Sequence, residues 1–164
     1  MQLFHGSIIA IDSPQVIFSE HGRDFGNGFY TTDIKEQAVR WAKRKAKIKT
    51  INNNDAKAMI SIYEFDENNA QKLKTIQFPK PNTEWLDLIC ACRGNANYQH
   101  GYDLLIGKIA NDNVGETVSF VLEGIMRKED ALKKLKFEKI NNQICFATSK
   151  ALDFLKYIGF EELK

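Results

Sequence analysis

The sequence predicts a single α+β domain spanning residues 1–164. Strand-like and helix-like segments follow one another without the regular alternation of a doubly wound sheet, and no repeat, linker or charged tail divides the chain. Its 164 residues suffice for one core that buries about 70% of the surface an unfolded chain exposes. The 43% hydrophobic and 27% charged content, with eleven phenylalanines, excludes a disordered chain. A net charge of only +2 excludes the global basic field of a dedicated nucleic-acid binder.

The opening "MQLFHGS" reads as a short strand that stops at Gly6, where the backbone can approach a ligand closely. "IIAIDSPQVIFSE" reads as a loop with a turn at Ser13 and Pro14, and Phe29 and Tyr30 begin a strand. From there Ile34, Ala38, Trp41 and Ala42 recur at helical spacing, with Asp33 and Glu36 as an acidic capping box, so a helix starts near Asp33. "NNND" ends it, and "AMISIYEF", rich in β-branched and aromatic residues, is a strand. "FPKP" breaks the chain, and "NTEWLDLICACR" sets Trp85, Leu86, Leu88, Ile89 and Cys92 on one helical face. "YDLLIGKIA" predicts a strand and "VGETVSFVLEGIM" a helix through Val114, Val118, Val121, Leu122 and Ile125. "KEDALKKLKF" is a shorter helix, "QICFAT" a strand, and Ser149 caps a last helix, "KALDFLKYI", closed by Gly159.

Cys90, Cys92 and Cys145 are odd in number and lack the two-residue spacer of a zinc knuckle or thioredoxin-like pair, so they read as reduced, mostly buried thiols. His5, His21 and His100 have no ligand spacing with one another or with the cysteines, and no metal is expected. The chain opens without a basic leader, and no segment reaches about 18 uninterrupted apolar residues; a cytoplasmic protein with no membrane attachment is the expectation.

Three short pieces suggest one site: "FHGS" at the start, "FGNGFYTTD" after it and "NNQICF" near the end. Gly26 and Gly28 do not make a dinucleotide fingerprint, because they precede a Phe-Tyr strand and no third glycine opens a helix. Arg23 lies in the same loop, where its forked guanidinium suits an oxyanion. Arg40, Lys43, Arg44, Lys45, Lys47 and Lys49 follow with no acid among them, which is either a solvated face or a surface for phosphates or an acidic acceptor. Trp41 fits either the core face of its helix or a ligand wall.

"FGNGFYTTD", with an aromatic eleven residues beyond its tyrosine, resembles the "FGxGxY" segment of poly(ADP-ribose) polymerases and diphtheria-toxin-type ADP-ribosyltransferases, and "FHGS" resembles their His-Gly-Ser/Thr strand. The whole chain is also similar to an uncharacterised bacterial domain family assigned to the ADP-ribosyltransferase fold, some members of which sit in toxin-antitoxin gene pairs. The resemblance implies a split, mainly antiparallel β core with helices around it, and NAD as cofactor. It implies that His5 bonds the ribose, that the Gly6 backbone holds the carboxamide, that Ser7 beside it is cofactor-binding, and that Tyr30 and Trp41 stack on the two faces of the nicotinamide. Phe25 and Gly28 belong to the same cofactor segment. A planar cationic ring between two aromatic faces gains roughly 1–2 kcal/mol from each when desolvated.

The late strand departs from the pattern. Gln143 stands where those transferases carry a glutamate. Glutamine keeps a hydrogen bond to the ribose but lacks the charge that would steady it as nicotinamide leaves. Chain building is therefore not expected, while mono-ADP-ribosyl transfer or slow NAD hydrolysis is. Glu138 lies outside the strand motif and Asp112 follows another strand end; either supplies a carboxylate only if the fold brings it in, and neither is assigned the role. The expected function is an NAD-dependent mono-ADP-ribosyltransferase acting on a macromolecular acceptor, protein or nucleic acid, as the toxin of a bacterial toxin-antitoxin pair with a cognate antitoxin. A catalytically silent module binding NAD, ADP-ribose or a partner stays open, because fold does not fix function, as does a nucleic-acid binder working through the basic helix.

Overall fold

The computed structural model describes residues 1–51, 55–109, 112–135 and 141–164. It is an α+β domain. In chain order the elements are β1 (Gln2–Ser7), β2 (Phe29–Thr31), α1 (Lys35–Ile51), β3 (Ala58–Phe65), β4 (Thr75–Phe78), α2 (Thr83–Gly94), β5 (Leu104–Ile109), α3 (Asp112–Leu122), α4 (Lys128–Leu135), β6 (Asn141–Phe146), α5 (Ser149–Leu152) and β7 (Leu155–Leu163). They form two sheets, of strand order β1-β3-β7 and β2-β6-β5-β4. Every pairing is antiparallel except β4 with β5.

Strand alternation sorts the side chains into layers. Leu3, Phe29, Tyr63, Phe65, Leu104, Ile144, Phe146 and Leu155 fill the space between the two sheets. Their neighbours Tyr30, Leu105 and Cys145 turn the other way, onto Phe25, Phe78, Trp85, Leu86, Ile89, Val118, Ala131 and Leu135 under α2, α3 and α4. The far face of the first sheet is covered by α1, through Phe4, Ala38 and Ile60 and then Ala42, Ala46 and Ala58.

The alanine stripe of α1 lets the helix lie close on β1, and Gly6 completes the fit. A Cβ there would stand 2.1 Å from the Ala38 carbonyl oxygen and 2.8 Å from the Ala42 nitrogen. The strand does not stop at Gly6, contrary to expectation; the missing side chain makes room for the helix rather than for a ligand. Gly6→Ala is expected to cost about 3 kcal/mol through backbone overlap, lowering the melting temperature by roughly 6–12 °C. A shift of less than about 2 °C in a thermal melt would show that α1 does not press on β1 as described.

Several boundaries differ from the sequence reading. "KALDFLKYI" is not a helix to Gly159: α5 ends at Leu152 and the rest is strand β7, paired with β3 along its length. Thr148, not Ser149, is the cap, accepting from the Ala151 nitrogen at 3.2 Å. The Asp33 carboxylate accepts from Asn142 at 2.8 Å, tying the start of α1 to β6 instead of closing a capping box. Leu122 and Ile125 are exposed, and "TIQF" forms the short strand β4, which its sequence alone does not announce. Residues 52–54 of "NNND" and Glu138 lie outside the described residues, and so does the side chain of Asp112. No helix among the described residues is long and apolar enough to cross a membrane. Cys90, Cys92 and Cys145 are free thiols, and burial pushes Cys92 and Cys145 up to about 12.

Candidate functional site

Among the described residues the two sheets are joined by a bridge, where Phe4 and Thr32 exchange backbone hydrogen bonds of 2.8 and 3.0 Å. Continuing that antiparallel register would pair Gly6 with Tyr30. The strands part instead, and His5 takes the freed carbonyl: its Nδ1 lies 2.6 Å from the Tyr30 oxygen. Phe4 turns its N–H and C=O toward β2, so by alternation those of Gly6 face the same gap. A cleft of about 370 Å³ opens there, lined by His5 of β1, Tyr30 of β2, Trp41 and Lys45 of α1, Gln143 of β6, the loop residues Ile17, Gly22, Arg23 and Asp24, and Arg93 at the end of α2.

His5 is only 6% exposed and its ring stacks on Phe29 with centroids 4.6 Å apart. Burial, with the charges of Lys45 and Arg23 beside it, lowers its pKa to about 4 despite the Tyr30 hydrogen bond, so the imidazole is neutral at physiological pH. A carbonyl only accepts, so Nδ1 carries the proton and donates. Nε2 is then a lone-pair acceptor.

The Tyr30 hydroxyl donates to the Gly26 carbonyl at 2.5 Å and accepts from the Phe25 nitrogen at 3.2 Å. Gly26 has φ 72°, the left-handed region that favours glycine, and so bends the loop under that hydroxyl. Burial holds the phenol well above its ordinary pKa; it stays protonated and anchored. The Arg23 guanidinium lies over the Tyr30 ring, 5.5 Å from its centroid. Trp41 is half-buried and belongs to none of the core clusters of the described residues.

Gln143 is 8% exposed, and its Oε1 is buried without a hydrogen-bond partner among the described residues. Buried acceptors are nearly always satisfied; Gln37 Oε1 is orphaned in the same way, but of the two residues only Gln143 lines the cleft, so a ligand bound there is a source of the missing donor. Lys45 is exposed overall, yet its ammonium donates to the Gly6 carbonyl at 2.8 Å in a part-buried hydrogen bond. Burial, and then the charge of Arg23, lowers its pKa to about 8. The other five cations of the basic run, Arg40, Lys43, Arg44, Lys47 and Lys49, are exposed.

The cleft thus brings together His5, Arg23, Tyr30, Trp41 and Gln143, with the Gly6 main chain beside them. Three other sequence candidates do not line it. Phe25 is fully buried beside Phe78, 6.4 Å between ring centroids. Gly28 is held close to β6, where a Cβ would meet the Cys145 sulfur at 2.5 Å, and Ser7 is buried in β1 opposite Met59. Asp24 and Arg93, not singled out in the sequence, form an ion pair of 2.5 Å between Oδ1 and Nε. They are 69 positions apart, and no local pattern announces them. Gly22 packs against the same helix end, where a Cβ would lie 2.4 Å from the Arg93 carbonyl oxygen.

No group of three metal-ligating side chains is found among the described residues. The donor set suits an organic ligand with hydroxyls: two side-chain acceptors, His5 Nε2 and Gln143 Oε1, two aromatic side chains, and a backbone donor and acceptor at Gly6. The model of a family described as "Protein of unknown function (DUF3990)" matches residues 1–157, and the chain belongs to that family. No curated protein matches it.

Proposed function

We propose that this member of the family binds NAD in the cleft and is an NAD-dependent mono-ADP-ribosyltransferase with a macromolecular acceptor, built on an ADP-ribosyltransferase-type split β core. The observation that carries the reading is convergence. His5, Arg23, Tyr30, Trp41 and Gln143 come from five separate segments and line one cleft, and two of them, His5 and Gln143, carry acceptors of the kind a ribose diol would satisfy.

In this reading His5 Nε2 and Gln143 Oε1 each accept from a ribose hydroxyl, fixing the sugar. Gly6 offers its N–H and C=O to the carboxamide, and Tyr30 with Trp41 offers aromatic faces to the cationic ring. Bound NAD supplies a glycosidic bond that breaks with nicotinamide as leaving group; the protein supplies position and electrostatics. Because His5 is neutral across physiological pH, it adds no repulsive charge as positive charge develops on the ribose.

A silent NAD-binding module is the second reading, favoured by one observation. Asp24 is the one carboxylate among the described cleft residues, and Arg93 holds it. Calorimetric titration with NAD, followed by assay of released nicotinamide, separates the two. Binding with slow release is the expected result, and His5→Ala is expected to weaken binding about tenfold, the loss of one buried hydrogen bond. Absence of NAD binding to the wild-type protein would overturn the proposal.

A further inference from the structure

Two cations occupy the very groups that the ring end of a ligand would use. Arg23 covers the Tyr30 face at 5.5 Å, and Lys45 holds the Gly6 carbonyl at 2.8 Å. Neither forms an ion pair with a carboxylate among the described residues, while the carboxylate beside them, Asp24, is engaged by Arg93. Two unneutralised cations lining one partly enclosed cleft repel each other; burial, and second to it the charge of Arg23, lowers the pKa of Lys45. An anion between them would relieve both.

We infer that Arg23 and Lys45 form a seat for a diphosphate, and that filling it draws both side chains off Tyr30 and Gly6, so that the phosphate portion of a ligand uncovers the subsite for its ring. The seat stands on these contacts alone; naming the ring nicotinamide rests on the NAD reading above. The consequence is a reciprocal coupling between anion and ring, because each binds better once the other is in place. A ligand lacking phosphate has to displace Arg23 and Lys45 by itself. Phosphate is then a requirement for recognition as well as a source of affinity.

The probes are inorganic pyrophosphate and free nicotinamide, titrated separately and together into the intact protein by calorimetry. Pyrophosphate is expected to bind one-to-one, about tenfold more weakly to Arg23→Ala and to Lys45→Ala. Its affinity should fall as pH rises through about 8, where free Lys45 loses its proton. The other titratable and charged groups facing Lys45 across the cleft are His5, Arg23, Asp24, Tyr30 and Arg93. His5 titrates near 4 and the Tyr30 phenol well above its ordinary value; Asp24, raised by burial and pulled back by Arg93, is common to wild type and Lys45→Ala, so a pH effect lost in Lys45→Ala belongs to Lys45. Nicotinamide is expected to bind about tenfold more tightly with pyrophosphate present, and Arg23→Ala, with Tyr30 uncovered but Lys45 still on Gly6, should show part of that gain without it. Pyrophosphate that fails to bind, or binds without changing nicotinamide affinity, overturns the inference. NAD binding equally to wild type, Arg23→Ala and Lys45→Ala would overturn the seat and leave the NAD reading intact. Pyrophosphate binding through both residues with no NAD binding would overturn the NAD reading and keep the seat.

Discussion

Replacing Arg93 with methionine is expected to lower the melting temperature by about 10 °C or more, although the residue lies at the rim of the cleft. Its partner Asp24 is 7% exposed, whereas the Arg93 side chain is 28% exposed. Removing the guanidinium leaves a carboxylate buried and unpaired, a loss of roughly 3–5 kcal/mol, and a degree of melting temperature corresponds to a few tenths of a kcal/mol in a chain of about this size. Asp24→Asn should cost less, because the freed guanidinium can turn toward water. Asp24→Asn combined with Arg93→Met should recover part of the single Arg93 deficit, which a double-mutant cycle reads directly.

The same pair fixes the sign of a pH effect. Burial raises the Asp24 pKa above the ordinary carboxylate range, and Arg93 pulls it back. Between the unfolded and folded values the native state binds more protons than the unfolded chain, so this group's contribution falls as pH rises through that window. Without Arg93 the folded value rises further and the window widens. The Arg93→Met deficit should therefore be largest at neutral pH and narrow on acidification. Equal melting temperatures for wild type and variant at pH 7, or a deficit unchanged by pH, would show that the pair does not hold the loop against α2.

Local periodicity made much of this fold legible. The β3 segment "AMISIYEF" matches Ala58–Phe65, and the apolar face of α2 buries Trp85, Leu86, Ile89 and Cys92 as its spacing implies. The C-terminal segment was not legible, because Ala151, Leu152, Phe154, Leu155 and Ile158 fit a helical face about as well as a strand. What decides is pairing with a strand nearly a hundred residues earlier, where Tyr157 meets Tyr63 edge-on with centroids 5.9 Å apart. The candidate site was legible as far as its residue types are unusual for their position: a His-Gly pair in the first strand, a tyrosine just after a glycine-rich loop, a tryptophan on a basic helix. Phe25 and Gly28 stand in the same motif yet serve packing, since a short motif does not say which members face the core. Lys45 hides among five exposed cations, and only the fold singles out the one that reaches Gly6. Asp24 and Arg93 find each other only once the loop is laid on α2.

Gln143→Glu is the substitution expected to change turnover most, raising nicotinamide release from NAD by about a hundredfold. The two side chains have nearly the same shape, so the packing around Gly107, opposite Gln143 on β5, should persist. Two effects oppose each other. Burying a carboxylate at a position 8% exposed favours its protonated form, whereas Arg23 and Lys45, lining the same cleft, favour the charged one. With two cations present and His5 neutral, the charged form should win at neutral pH. A negative charge set beside the positive charge developing on the ribose acts where water is largely excluded, and single preorganised groups of this kind change rates by about 10²–10³-fold. That charge matters chiefly while the glycosidic bond is breaking, so kcat should rise while the dissociation constant of NAD stays within about threefold of wild type. Steady-state nicotinamide release, read beside calorimetric binding, checks both halves. Unchanged release with NAD still bound would mean that the ribose does not lie against position 143, and the role given to the orphaned Gln143 oxygen would fall with it. Asp24 cannot supply the missing charge in the wild-type protein, because Arg93 already holds that carboxylate.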